Sequence, residues 1–190
     1  MRNDDQRLRK VLIEAELYNE KQDYDSAFEL LSSELQEMPD NKDLLYSRAL
    51  VAEKIDKLDV MEQDLKKIIS QNPDDVSALN ALGYTLVDRT ERYAEAQEYL
   101  EKAIQLKPNE AVILDSYGWL QFKLNNYEVA YDYLKRAYSL QKENEIAAHL
   151  IEVLWRMGRT KESLKLYKKT IKNSPSDKYL LEVGKKYFNR

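Results

Sequence analysis

The residue types that could do chemistry are few. His149 is the single histidine in 190 residues, and there is no cysteine. A lone imidazole excludes a multi-histidine metal site, and without thiols there is neither a cysteine nucleophile nor a thiolate site. Glu143, Glu145 and Glu152 flank His149, so one imidazole among carboxylates is the only general-base arrangement on offer. In a chain that is 34% charged, carboxylates on a helix surface read first as a solvated face. The four glycines stand apart from one another at packing or turn positions, and none forms a phosphate loop. The sequence predicts no enzyme, no metal and no cofactor. What stays chemically expressive is aromatic: 14 Tyr, 3 Phe and 2 Trp, ring types that dominate protein-binding hot spots.

Bulk properties narrow the partner. The formal net charge is −4, spread along the chain, whereas nucleic-acid binding calls for a basic face. No small-molecule substrate is indicated. The absence of cysteine suits an oxidising or a reducing compartment equally. No apolar run approaches the length of a membrane span, and the opening MRNDDQRLRK lacks the apolar core of a secretory signal.

The elements that must position these side chains are helical. Glycine and proline are scarce while Leu, Lys, Glu and Ala abound, which favours helix over sheet. Within VSALNALGYTLVDRTERYAEAQEYLEKAIQLKPNE, residues 76–110, Leu79, Leu82 and Leu86 share one helical face. Ala96, Leu100 and Ala103 share another, so the stretch reads as two helices folded back on each other. The pattern recurs. Pro39, Pro73, Pro108 and Pro175 are 34, 35 and 67 residues apart, the last gap being two periods with Lys142 in the vacant slot. A fixed period of this size marks stacked supersecondary units, none of which can bury its apolar face alone.

Leu79, Leu82, Gly83, Leu86, Tyr93, Ala96, Leu100, Ala103 and Pro108 resemble the tetratricopeptide repeat in types and spacing. Leu114, Tyr117, Gly118, Tyr127, Ala130, Leu134 and Ala137 repeat the match. Weaker copies fall at Ala15, Tyr24, Ala27, Leu31 and Pro39, at Leu45, Ala49, Leu65 and Pro73, and at Leu150, Ser163, Tyr167 and Pro175. Met61, Ile151 and Thr170 depart from the small residues usual at their places, which predicts slightly wider hairpins there. The resemblance implies an all-α, right-handed superhelical solenoid. It would comprise five hairpins, at about 8–41, 42–75, 76–110, 111–143 and 144–177. A capping helix at about 178–189 would complete a single array. Residues 1 to 7 are expected to fray.

In that family the first helix of each hairpin lines a concave groove. Carried onto this sequence, the groove residues of the last three repeats are Asn80, Tyr84, Asp115, Trp119, Phe122, His149, Glu152 and Trp155, an aromatic cluster with polar groups between. The alternative for the rings is packing between neighbouring hairpins. Leu12, Glu16, Tyr46 and Leu50 replace the Lys, Asn and Arg of the repeats that clamp a C-terminal carboxylate, so the resemblance implies no such clamp.

Three phrases are more particular: NALGYTLVDRT at 80–90, ILDSYGW at 113–119 and EIAAHLIEVLW at 145–155. They are similar to the C-terminal repeats of bacterial outer-membrane tetratricopeptide lipoproteins. That likeness implies a periplasmic, outer-membrane-associated adaptor that brings a C-terminal-processing protease to its substrates. It also implies that the lipid-bearing cysteine and further repeats lie upstream. The expected function is a non-catalytic scaffold or adaptor for a protein or peptide. A cytoplasmic assembly or chaperone-type scaffold and a self-associating array remain the alternatives.

Overall fold

A computed structural model describes residues 2–188, with side chains from residue 5 onward. All its regular structure is helical among the described residues: α1 (Arg2–Glu20), α2 (Tyr24–Glu37), α3 (Lys42–Lys54), α4 (Leu58–Gln71), α5 (Val76–Arg89), α6 (Tyr93–Leu106), α7 (Ala111–Lys123), α8 (Tyr127–Leu140), α9 (Asn144–Arg156), α10 (Thr160–Asn173) and α11 (Lys178–Tyr187). The chain forms two compact units, one ending at Leu82 and the other beginning at Gly83, with the boundary inside α5. In the first unit α1 packs on α2, α2 on α3 and α3 on α4. In the second, α6 to α11 pack in chain order as far as α10, and α11 lies against both α9 and α10.

The prolines end helices and prepare the next ones. Two positions after Pro39, Pro73 and Pro175 stand Asn41, Asp75 and Asp177. Their side chains accept hydrogen bonds from the backbone N–H of Leu44, Ala78 and Leu180 at 3.1, 3.0 and 3.0 Å. Each bond satisfies one of the free donors at a helix start. Glu110, two positions after Pro108, and Glu143, one position after Lys142, precede α7 and α9 without capping them, being one methylene too long for the closed ring. Cations from the following hairpin then reach the proline carbonyls: Lys67 Nζ donates to Pro39 O at 2.7 Å and Arg136 Nη2 to Pro108 O at 3.1 Å. Both links span 28 residues. Where the proline is absent, at Lys142, the connection is one residue shorter, and the place equivalent to Lys67 and Arg136 falls to Lys169.

The turns inside the hairpins need a left-handed residue. Gln22, Asp56, Asn125 and Gly158 supply it with φ of 59°, 62°, 64° and 76°, ending α1, α3, α7 and α9. The turn after α5 has three residues like the others, and the extra residue expected there is taken into the helix, α5 having 14 residues against 13 in α3, α7 and α9. Thr90 organises this turn. Its hydroxyl donates to Leu86 O at 2.5 Å and accepts from Arg92 N–H at 3.1 Å.

Gly83 and Gly118 permit the close approach expected of them. A Cβ on Gly118 would lie 2.7 Å from Leu134 Cγ and 3.3 Å from Leu134 N; one on Gly83 would lie 2.6 Å from Leu100 Cγ. Leu100 and Leu134 are completely buried and have nowhere to move. Gly118→Val is therefore expected to destabilise the chain by about 3 kcal/mol through overpacking, read as a fall in the urea midpoint at unchanged slope.

Three details differ from, or add to, the sequence reading. Helix α1 starts at Arg2 rather than near Leu8; no proline or glycine precedes Leu8 to stop a helix, and Asp5 suits the positive end of its dipole. The C-terminal helix ends at Tyr187, and the predicted boundary at 189 lies outside the described residues. Met61, Ile151 and Thr170 are all buried, at 3%, 0% and 7% exposure. Opposite Ile151 the small Ser163 donates its hydroxyl to Ile151 O at 2.9 Å. Helix α11 buries Leu180 and Val183 against Ala147, Ala148 and Ile151, leaving Lys185 and Lys186 exposed.

Candidate partner-binding site

Of the eight groove residues, Asn80 lies in the first unit and the other seven in the second. Asn80 is half-buried on α5, and its Oδ1 has no hydrogen-bond partner among the described residues.

Five of the others meet. His149 on α9 is buried, and its Nδ1 lies 3.0 Å from both carboxylate oxygens of the buried Asp115 on α7. Trp119, one turn beyond Asp115, stacks on the imidazole with centroids 4.0 Å apart and planes 17° from parallel. Phe122 also stacks on the indole, at 4.8 Å and 11°. The indole N–H donates to Asp88 Oδ1 at 3.3 Å. The Tyr84 hydroxyl donates to Glu145 Oε1 at 2.6 Å, and its ring sits 6.3 Å from the imidazole. Spacing by one repeat explains the meeting. Asp115 and His149 are 34 residues apart, so they hold the same place on successive first helices.

The electrostatics follow from this packing. Burial opposes charge on His149, but the Asp115 carboxylate, its hydrogen bond, and then Glu145 and Asp88 outweigh it. The imidazole pKa is raised above its ordinary value. Burial, then the charges of Glu145 and Asp88, push the Tyr84 phenol far above the usual tyrosine range. Tyr84 therefore stays a neutral donor at any physiological pH. His149 Nδ1 is occupied by Asp115, and its ring is covered by the indole. The group is built as an inter-repeat tie.

Glu152 and Trp155 form a second cluster with α11. Glu152 Oε2 accepts from Lys186 Nζ and from the Tyr187 hydroxyl, each at 2.8 Å. Trp155 packs against Tyr187 and Phe188, both at 5.3 Å between centroids. Trp119 and Phe122 retain 5% and 9% exposure, so their rings are engaged mainly with the chain itself. Tyr84, Glu152 and Trp155 are only half-buried.

Beside Phe122 opens a recess of about 330 Å³, lined by Phe122, Lys123, Asn125, Tyr127, Arg156, Lys186 and Tyr187. That volume sits at the low end for ligand sites, which run from about 300 to 1,000 Å³. The sequence reading reached Phe122 but missed the other six. One signal was present: a cation recurs in the last turn of α3, α5, α7 and α9, as Lys54, Arg89, Lys123 and Arg156.

Comparison with known proteins agrees with this architecture. The family model described as tetratricopeptide repeat matches residues 76–110 and 112–144. A TPR repeat-containing protein of Pseudomonas aeruginosa is 41% identical over 148 residues, covering 78% of this chain and 25% of that protein. A TPR repeat-containing protein of Methanocaldococcus jannaschii is 30% identical over 125 residues, 65% of this chain and 22% of its own length. The chain thus spans about a quarter of the length of the curated relatives it matches. Among solved structures, a thermophilic TPR protein of Thermus thermophilus superposes with a TM-score of 0.79 at 24% identity, over 94% of this chain and 96% of that one.

Proposed function

We propose that this chain, which is built of tetratricopeptide repeats, is a non-catalytic scaffold that binds a protein or peptide through its second unit. The repeat is a general protein-binding fold, and the all-helical architecture with its structural neighbours supports that role. The observation that carries the proposal is the recess beside Phe122, where aromatic walls and polar side chains converge on ends of α7, α9 and α11. Rigid rings with polar neighbours are what protein hot spots use. Against catalysis stands the one chemically distinctive pair, Asp115 and His149, whose groups are spent on each other and on Trp119.

In its finer form the proposal is a periplasmic, outer-membrane-associated adaptor for a C-terminal-processing protease. The phrases at 80–90, 113–119 and 145–155 support it, and 41% identity to the Pseudomonas protein supports a bacterial setting. The test is affinity capture from envelope and cytosolic extracts of the source organism. The baits are the wild-type chain and a Tyr127→Ala/Tyr187→Ala variant whose helicity is checked by circular dichroism. A protease retained from the envelope by wild type alone is the expected result. Partners drawn only from cytosol would overturn the periplasmic form, and partners held equally by both baits would overturn the recess as the binding surface.

A further inference from the structure

The charge around the recess is one-sided. Lys123, Arg156 and Lys186 line it and no carboxylate does. Glu152 offsets Lys186 from behind, at 2.8 Å, and Lys123 holds its ammonium 4.9 Å above the Trp119 ring. Arg156 is exposed and has no ion-pair partner among the described residues. Cations near helix C-termini ordinarily complement the dipole, and in the equivalent turn of α3 Lys54 also pairs with Glu53 at 2.7 Å. The ends of α7 and α9 are served by backbone bonds, as is that of α3: Leu124 N–H to Leu120 O and Asn125 N–H to Phe122 O on α7, Met157 N–H to Val153 O and Gly158 N–H to Trp155 O on α9. The guanidinium is left over, next to a concavity that apolar ring surface lines on several sides.

Building on the scaffold reading, we propose that this recess takes an acidic segment of a partner protein. An Asp or Glu carboxylate pairs with Arg156, supported by Lys123, while a neighbouring apolar side chain lies against Phe122, Tyr127 and Tyr187. Guanidinium presents a planar fork that carboxylate matches in two hydrogen bonds, which an ammonium does not. A free inorganic anion would leave the aromatic walls unused, and about 330 Å³ holds one or two side chains rather than a folded metabolite-sized ligand. The Tyr127 hydroxyl donates to Asn125 Oδ1 at 2.6 Å, so its polar tip is already engaged.

The experiment selects a random dodecapeptide phage library on the purified chain and on Arg156→Glu, with Lys123→Gln as a second, milder variant; circular dichroism checks the folding of each. Enriched peptides are then synthesised, and their affinity is measured by fluorescence anisotropy beside twins carrying Gln or Asn in place of the acidic residue. The expected result is enrichment of Asp or Glu next to an aromatic or branched apolar residue. Loss of at least tenfold in affinity is expected both for the amide twin and on Arg156→Glu, with a smaller loss on Lys123→Gln. Enrichment of neutral or basic peptides, or acidic ones bound equally by Arg156→Glu, overturns the charge assignment and leaves the scaffold reading standing. Failure to enrich any peptide overturns both. Sedimentation of the chain at several concentrations adds a third outcome. A dimer dissolved by Arg156→Glu would give the recess to a second copy and overturn the partner assignment.

Discussion

Asp115→Ala is expected to lose about 3–5 kcal/mol of stability, because it strands one member of a buried, hydrogen-bonded ion pair. His149 and Asp115 keep 6% and 5% exposure, so water cannot replace the missing carboxylate. Asp115→Asn should lose less, since the amide oxygen still accepts from the imidazole. The pH dependence separates this pair from generic packing. The folded-state pKa of His149 is raised, so folding takes up a proton near neutrality. The stabilisation is fully present below the unfolded value of about 6.5 and is lost as pH rises through the higher folded value. The urea midpoint of wild type measured against Asp115→Asn should therefore show its largest advantage at about pH 6 and a shrinking one toward pH 9. A constant difference across that range would mean that the imidazole is neutral in the folded chain.

Trp119→Ala is the second large effect, at about 3–5 kcal/mol. The indole is 5% exposed, stacked with both His149 and Phe122, and tied by its N–H to Asp88. Alanine leaves a cavity between α7 and α9 and uncovers the imidazole face. Trp119→Phe keeps a ring in the stack and forfeits the hydrogen bond, for about 1 kcal/mol. Thermal unfolding followed by circular dichroism checks both. The consequence reaches binding experiments: any loss of partner affinity in a Trp119 variant has to be corrected for unfolded chain. Arg156 and Tyr127, exposed and half-buried, report on the surface with less disturbance.

The difference between what was legible in the sequence and what was not shows at these same residues. Leu79, Leu82, Gly83, Leu100 and Leu134 announced hairpins, because helical packing demands apolar residues at fixed spacing and small ones at close approach. The four prolines announced the period, because each ends a helix by losing a donor. The capping role of Asn41, Asp75 and Asp177 was implicit in their place two residues on, although only the structure showed that Glu110 and Glu143 do not cap.

The sequence by itself determined the helices, their order and the repeat that sets each first helix in register with the next. Those properties are local or periodic, and a period of 34 places Asp115 and His149 at one level without further information. Only the tertiary structure decided what the register accomplishes. It stacked Trp119 on His149, turned Glu152 toward Lys186, and gathered Lys123, Arg156 and Lys186 from three separate helix ends beside Phe122. Which face of a ring is covered depends on rotamers and on neighbours far away in sequence. Side-chain direction of that kind is set by packing density and charge pairing in three dimensions, and no spacing rule along the chain encodes it.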